Sequence, residues 1–296
     1  MKTNWLFLIG TAASACAWAQ TSEEKITREL AFEAKTASNT LMTLNINGSV
    51  TVEGYAGDKI LVEVKKTIRA KTAARLEEGK EEIQLGVTDR ADTLILYVTG
   101  TCAPFGKQSR KDWHRKFNGW GYQWNKNEGR GCEDRYDYTM DFVIKVPAGT
   151  QVVASTVNQG DVEVTGVSGA VVADNVNGAI RCAGISGATR AATVNGDVNL
   201  DFSGNPSGDS RFYTLNGDIT ANFRKGLAAQ LAFKSFNGEL YSSVEEITAL
   251  PVQLEITDRG GEGTRYRVNG NRYKIRQGGP LLDFETFNGD VIVREK

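Results

Sequence analysis

Glycine recurs every nine residues through the middle of this chain. One run is Gly160, Gly169, Gly178, Gly187 and Gly196, and after a short insertion at 205–207 the spacing resumes at Gly208, Gly217 and Gly226. Such a repeat constrains the fold more than composition does, because each copy must bury its apolar face against the next copy.

Apolar residues alternate with polar ones after each of these glycines. The inward set is Val162, Val164, Val171, Ala173, Ile180, Cys182, Val198, Leu200, Ile219 and Ala221. Alternation of this kind is typical of a half-buried strand. The residue before glycine alternates between serine and asparagine, as at Ser168 and Asn177, so the full repeat spans two glycine intervals. The pattern predicts an all-β protein, a parallel β-solenoid with coils of about 18 residues and a corner at each glycine.

The same phrase recurs outside the central run, at Asn47-Gly48, Asn237-Gly238 and Asn288-Gly289. We therefore expect one solenoid domain over residues 20–296, with insertions at about 58–150 and 250–287. The first insertion is predicted to contain short antiparallel strands at 60–67, 93–98 and 138–146 and one short helix at 72–85. The second is predicted to contain a hairpin in which strands 264–268 and 272–276 flank an Asn-Gly-Asn turn.

Residues 1–19 have the pattern of a cleaved signal peptide. Lys2 precedes a short apolar run that closes on Ala-Trp-Ala at 17–19. That run is too short to span a bilayer. The sequence therefore predicts an exported protein, located in the periplasm, at the outer-membrane surface or secreted. Cys16 loosely matches a lipoprotein attachment site, so a lipid anchor is an alternative.

Three further cysteines follow the signal peptide. Cys102 and Cys132 bracket a polar, Gly-rich segment, and a disulfide between them would stabilise the protein by about 3–4 kcal/mol in an oxidising compartment. Cys182 falls in an apolar column and is predicted to be a buried free thiol. No Cys/His spacing indicates a metal site, and no cofactor is expected.

The chain resembles the bacterial putative-adhesin domain family, whose members are exported or envelope proteins. The resemblance rests on the early strand Asn-Gly-Ser-Val-Thr-Val at 47–52, the strand that ends Val-Ile-Lys-Val-Pro at 143–147, and the serial Asn-Gly-Asp-Val phrases, and it covers about residues 41–293. It implies a β-solenoid scaffold in the envelope and transfers no catalytic residue.

Residues 103–131 combine large aromatic side chains with basic ones. The candidate binding residues here are Trp113, Trp120, Trp124, Tyr122, Arg110, Lys111, Arg115 and Lys116. One interpretation is a disulfide-tied lid that packs on the solenoid, and the other is a loop that binds sugars or lipid headgroups. Export and a net charge of -1 argue against single-stranded nucleic acid as the partner.

Basic residues also alternate with apolar ones in the predicted hairpin. They are Arg265, Arg267, Arg272, Lys274 and Arg276. On one face of the hairpin they would attract polyanionic envelope material. Alternatively, they form a solvated edge that discourages aggregation.

Acidic residues offer two further hypotheses. The acids that follow corner glycines, Asp161, Asp197, Asp218 and Asp290, could bind calcium, but the ligand loop of calcium-binding repeats is absent, so we expect them to bond the local backbone. Asp174 and Asp201 could serve a polysaccharide lyase or hydrolase. His114 is the only histidine, which argues against a Ser-His-Asp site.

The leading hypothesis is a non-catalytic exported envelope protein that acts as an adhesin-like binding module for a glycan or another envelope ligand. The alternatives are a polysaccharide-processing β-helix enzyme and a structural scaffold for an envelope protein partner. The sequence leaves the oligomeric state and the ligand open.

Overall fold

The computed structural model describes residues 20–34, 36, 38–100, 135–251, 254–258, 264–268 and 271–296. In chain order the elements are β1 (Gln20–Leu30), β2 (Thr40–Leu44), β3 (Val50–Tyr55), β4 (Ile60–Ala70), α1 (Ala73–Glu82), β5 (Gln84–Arg90), β6 (Thr93–Thr99), β7 (Asp137–Pro147), β8 (Gln151–Ser155), β9 (Val162–Thr165), β10 (Val171–Asp174), β11 (Ile180–Ile185), β12 (Thr189–Asn195), β13 (Val198–Phe202), β14 (Ser210–Asn216), β15 (Ile219–Phe223), β16 (Ala229–Lys234), β17 (Leu240–Ser242), β18 (Ile247–Ala249), β19 (Leu254–Asp258), β20 (Thr264–Val268), β21 (Asn271–Ile275), β22 (Leu281–Asn288) and β23 (Val291–Glu295). The described part is therefore nearly all β.

Two large sheets contain most of these strands. Sheet 1 has the order β1-β4-β7-β3-β9-β11-β13-β15-β23-β17, and sheet 2 has the order β18-β21-β16-β22-β14-β12-β10-β8-β2-β6-β5. From β8 to β17 the chain alternates between the sheets. Two consecutive strands, the first in sheet 2 and the second in sheet 1, thus form one unit, which we call a rung.

The central rungs stack in parallel. Ile180 of β11 pairs with Val198 of β13, which stands one full repeat further along the chain. Ala191 of β12 pairs with Phe212 of β14, where the insertion at 205–207 lengthens the offset. The parallel stacking predicted from the repeat is confirmed for these strands. Both sheets are nevertheless mixed and are not closed, because antiparallel strands are added at their ends.

The segment 58–150 contains all four elements predicted for it, as β4, α1, β6 and β7. The prediction that its strands are antiparallel is wrong in part, because β6 pairs parallel with β2 and β7 pairs parallel with β3. Strands β6 and β7 thus form one rung. Strand β4 pairs antiparallel with β7, and β5 pairs antiparallel with β6. The predictions for residues 1–19 and for the segment between Cys102 and Cys132 lie outside the described residues.

The hairpin predicted in the second insertion is wrong. Strand β20 pairs with β19 in a separate two-stranded sheet, whereas β21 pairs antiparallel with β16 and β18 at the end of sheet 2. Ile275 of β21 is fully buried and Tyr273 packs on the core. The burial of these side chains holds β21 against the stack, away from β20.

The hydrophobic core lies between the two sheets. Phe202 of sheet 1 stacks on Phe223 of the next rung, with ring centroids 4.8 Å apart, and meets Phe212 of sheet 2 edge to face at 6.4 Å. Cys182 is a buried free thiol, as predicted, and burial raises its pKa to about 12. A thiol with this pKa stays protonated and unreactive at neutral pH.

Helix α1 packs against the extended ends of β1 and β4. The Thr72 side chain caps it by accepting from the backbone N–H of Arg75. A Cβ on Gly79 would lie 2.8 Å from Ile68 Cγ2, so the close approach of helix and strand requires glycine here. Lys66, fully buried, donates to the Lys80 carbonyl at 2.8 Å and pairs with Glu24 at 3.1 Å.

No helix among the described residues is long and apolar enough to span a bilayer.

An asparagine ladder joins the rungs at the corner that leads from sheet 2 to sheet 1. Side-chain amides donate from Asn177 to Asn158, Asn195 to Asn177, Asn216 to Asn195, Asn288 to Asn216 and Asn237 to Asn288, all at 2.8–2.9 Å. Neighbouring rungs are thereby held at one fixed register, because a slip of one residue would break every bond of the ladder.

Two further side-chain columns flank the ladder. Carboxylates accept from backbone N–H groups of the adjacent rung, in the pairs Asp161–Ala179, Asp197–Asp218, Asp218–Asp290 and Asp290–Glu239. Hydroxyls donate to glycine carbonyls of the neighbouring rung, as from Thr193 to Gly178 and from Thr214 to Gly196. The corner acids do bond the backbone, but the prediction of local partners is wrong, because the partners belong to the next rung.

Replacing Asn216 by Ala removes two ladder bonds, one donated to Asn195 and one accepted from Asn288. We expect the free energy of unfolding to fall by about 1–3 kcal/mol, as measured by urea denaturation. Asn199, exposed on the outer side of β13, is the matched control, and Asn199→Ala is expected to change stability by less than about 0.5 kcal/mol. Equal losses in the two variants would contradict the stabilising role of the ladder.

Candidate ligand-binding surface

The outer face of sheet 2 brings two arginines together. Arg190 of β12 and Arg211 of β14 are Cα partners in the parallel ladder. Their neighbours Ala191 and Phe212 are fully buried in the core. Since successive side chains of a strand point to opposite faces, both arginines point outward.

A hollow of about 250 Å³ lies beside these arginines. It is lined by Arg190, Ala191, Ala192, Arg211 and Tyr213. Ala192 and Tyr213 are also Cα partners, and the methyl group of Ala192 leaves the space that a larger side chain would fill. The wall of the hollow therefore carries two guanidinium groups and one phenol ring.

Asp174 fixes the position of Arg190. Nη1 of Arg190 donates to both carboxylate oxygens of Asp174, at 2.6 and 2.8 Å. The Asp174 side chain is only 7% exposed, whereas that of Arg190 is 50% exposed. Burial raises the pKa of Asp174, and the charge and hydrogen bond of Arg190 oppose this shift. Asp174 thus holds the guanidinium group of Arg190, while half of the Arg190 side chain stays exposed.

Two carboxylates hold Arg211 from the opposite side. Nη2 of Arg211 lies 2.9 Å from Glu285, and Nε lies 3.5 Å from Asp283. Glu285 also pairs with Lys234, whose hydrogen bond is the main cause of the lowered pKa of Glu285. The pKa of Asp283 is raised, chiefly by burial. Asp174 is a partner of Ala192 in the sheet and Glu285 is a partner of Tyr213, so both ion-paired arginines and their acids surround the hollow.

This arrangement suits an oxyanion or a polyhydroxylated ring. Guanidinium groups form charge-assisted hydrogen bonds with carboxylate and sulfate oxygens. The Tyr213 ring offers an apolar face and its hydroxyl a polar edge. The hollow is open on the surface, so a polymer could lie across several rungs.

The predicted binding residues divide into three groups. Trp113, Trp120, Trp124, Tyr122, Arg110, Lys111, Arg115 and Lys116, with the predicted disulfide, lie outside the described residues. Arg265 and Arg267 belong to β20, of which only the backbone is described. Arg272 and Lys274 lie on β21 at the end of sheet 2 and alternate with the inward Tyr273 and Ile275, as predicted.

Arg276 does not join a cationic face with these residues. Its guanidinium group forms two hydrogen bonds of 2.9 Å with Glu295 and donates to the Leu227 carbonyl at 2.7 Å. The side chain is 19% exposed, and its partner Glu295 is 7% exposed. The Arg276 side chain therefore links the segment before β22 to the end of β23 within the protein.

Sequence reasoning missed Arg190, Arg211 and Tyr213. A usable signal was present, because Arg190 and Arg211 each stand three residues after a corner glycine, at an outward position of the repeat. Aligning the outward positions as well as the inward ones would have placed the two cations in one column. The burial of Asp174, by contrast, has no sequence signal.

The acids considered for catalysis do not form a pair. Asp174 lies in sheet 2 and Asp201 lies in sheet 1. Each is paired with a cation, Asp174 with Arg190 and Asp201 with Lys296. His114 lies outside the described residues. Among the residues that the structure describes, no cluster of three or more His, Cys, Asp or Glu side chains could hold a metal ion.

Comparison with solved structures finds similarity at low identity to bacterial proteins. No family model matches the chain, and no curated protein matches it. A putative cell adhesion protein from Clostridium sporogenes is 12% identical with a TM-score of 0.42, over 93% of this chain and all of that one. A putative adhesin from Bacteroides fragilis is 13% identical with a TM-score of 0.31, over 93% of this chain and 98% of that one.

Both neighbours are bacterial, and their names correspond to the family that the sequence resembles. At these identities and TM-scores, neither comparison assigns a family or an activity to this chain.

Replacing Arg190 by Ala would leave the buried Asp174 carboxylate without its cation. We expect stability at pH 7 to fall by about 2–4 kcal/mol. The pKa of Asp174, already raised by burial, would rise further, so the folded state would bind more protons than the unfolded state. The loss should therefore shrink as the pH is lowered through this raised pKa.

The measurement is urea denaturation at pH 7 and at pH 5. Asp174→Asn combined with Arg190→Ala should restore most of the stability and abolish the pH dependence. Arg181→Ala is the matched control, since Arg181 is 52% exposed and pairs with an acid, Asp161, that is 42% exposed. A similar loss in this control would argue against a special role for the buried carboxylate.

Proposed function

We propose that this chain is a non-catalytic, exported protein of the cell envelope that binds an anionic glycan in the manner of an adhesin. The scaffold is a parallel β-solenoid of short coils, and its outer sheet 2 face is the binding surface. The observation that carries this proposal is the pair of anchored guanidinium groups, Arg190 and Arg211, beside Tyr213 at one hollow.

A glycan suits this surface better than a small apolar ligand does. Small-molecule sites are enclosed and mostly apolar, whereas this hollow is open and lined by cations and a phenol. Parallel strands repeat at about 4.8 Å, so neighbouring rungs present side chains at a regular spacing. A polymer with repeated carboxylate or sulfate groups can contact several rungs in succession.

The contacts of the acidic residues support a binding role over a catalytic one. General acid–base catalysis of glycoside cleavage needs a pair of carboxyl groups that face the substrate. Here Asp174 and Asp201 are bonded to cations, and the corner acids accept backbone N–H groups. The aromatic segment 103–131 remains a second candidate binding element.

Replacing both Arg190 and Arg211 by Gln should weaken the binding of acidic polysaccharides. We expect the dissociation constant to rise at least about tenfold, which corresponds to about 1.4 kcal/mol, and the remaining binding to depend less on salt. Isothermal titration with uronic-acid and sulfated oligosaccharides measures both quantities. Denaturation curves would establish that the variant is folded.

Arg181→Gln serves as the matched control, because Arg181 is equally exposed and ion-paired but lies on sheet 1. Equal loss of affinity in the control would show nonspecific charge attraction and would remove the case for this surface. Release of shortened products from the oligosaccharides would instead favour the polysaccharide-processing alternative.

The aromatic segment is tested separately by replacing Trp113, Trp120 and Trp124 with Ala. If the segment binds, the variant should lose adhesion to whole cells, glycans and envelope extracts, because aromatic rings contribute about 1–2 kcal/mol each when they stack on a ligand. Unchanged binding to all three would exclude the segment as a binding element. A protein that co-purifies from membranes at low and high salt would favour the scaffold alternative.

A further inference from the structure

The last rung of the chain lies between two rungs that precede it in sequence. Strand β22 pairs with β14 on one side and with β16 on the other. Strand β23 likewise lies between β15 and β17. The C-terminal residues 281–296 therefore fill a slot whose two walls are built from residues 210–242.

The residues that pair with the last rung are of the same kind on both walls of the slot. Phe284 pairs with Phe212 and with Phe233, and Val291 pairs with Ile219 and with Leu240. Asn288 stands in the ladder between Asn216 and Asn237. The last rung therefore fits the slot through the same core and asparagine pairings that join the other rungs.

The spacing of the walls along the chain also follows the repeat. Asn216 and Asn237 are separated by the same interval as Asn195 and Asn216, which are direct neighbours in the ladder. The two wall rungs are therefore consecutive copies of the repeat, and the last rung stands between them.

A short hinge connects this rung to the rest of the chain. It runs from Arg276 through two glycines to Pro280. Arg276 has a φ of 49°, a left-handed conformation that is strained for a residue with a Cβ. Extending the hinge would relieve this strain, and release of the rung would separate β22 and β23 from the wall strands on both sides.

Asp283 and Glu285 pair with cations of the two walls, and one further ion pair joins the rung to its own hinge. Glu295 at the end of β23 binds Arg276 in the hinge and accepts from the backbone N–H groups of Gly226 and Leu227. These hydrogen bonds, chiefly that of Arg276, lower the pKa of Glu295. Release of the rung has to break this contact, which is not one of the repeated ladder contacts.

We propose that residues 281–296 are an exchangeable rung, and that two copies of the chain dimerise by inserting this rung into each other's slot. The occupant is a second copy because the slot already fits this segment at every ladder position. All its contacts, including the pair between Arg276 and Glu295, re-form between the copies. The ion pair therefore controls the rate of exchange, while concentration controls the amount of dimer.

A crosslink between different copies tests this proposal directly. Thr220 of β15 and Ile292 of β23 are Cα partners on the outer face of sheet 1. An isotope-labelled full chain carrying Thr220→Cys is incubated at high concentration with an unlabelled chain carrying Ile292→Cys, and the mixture is oxidised. Mass spectrometry should then identify a disulfide that joins a labelled peptide to an unlabelled one.

The double variant Thr220→Cys/Ile292→Cys in one chain is the geometric control and should crosslink within the monomer. If it does so while the mixture gives no labelled-to-unlabelled disulfide, the proposal is overturned. A dimer detected by sedimentation without this disulfide also overturns it, because such a dimer would use another interface.

Replacing Arg276 by Ala should accelerate formation of the mixed disulfide on the order of tenfold and leave its final amount unchanged. Arg181→Ala, which breaks an exposed ion pair with Asp161 on sheet 1 away from the slot, should leave the rate unchanged. Glu295→Gln provides a second test of the same contact with a smaller change in shape. Equal rates in the Arg276 and Arg181 variants would overturn the assigned role of this pair.

Discussion

The close stacking of the Asn-Gly corners is the contact on which the rest of this structure depends. A Cβ on Gly196 would lie 2.2 Å from the Gly178 carbonyl oxygen, so only glycine lets successive corners approach this closely. That approach brings the asparagine amides within hydrogen-bond distance. It also places each corner acid beside an N–H group of the next rung. A single register of the rungs thus allows the close approach of the glycines and forms the hydrogen bonds of the asparagines and aspartates. The same register aligns the outward positions along the stack.

The repeat allowed the central fold to be predicted because each of its features is local and recurs. Inward columns, corners and the parallel offset of one full repeat all follow from positions such as Ile180 and Val198. The partner of β21 could not be predicted in this way. An Asn-Gly phrase that suits a hairpin turn precedes it in the sequence, yet burial of Ile275 in the core stabilises β21 more than a two-stranded hairpin would. The place of the C-terminal rung was equally hidden, since near-identical phrases do not specify their order in space.

The candidate surface shows the same limit at the level of side chains. Arg190 and Arg211 are each ordinary exposed residues of a strand, and only the register places them side by side. The buried Asp174 and the shared Glu285 then convert two flexible side chains into anchored ones. Anchoring reduces the entropy that a ligand would have to remove on binding. A repeat read only for its buried columns overlooks this outer column.

Uniform repeats also have a cost in specificity. Because each rung offers the same ladder to its neighbours, the ladder by itself cannot decide which rung occupies which slot. That choice depends on contacts that occur once. Arg276 with Glu295 and Lys296 with Asp201 are contacts of this kind, and both involve the last two residues of the chain. The C-terminal rung is thus held by the repeat but directed to its own slot by residues outside the repeat.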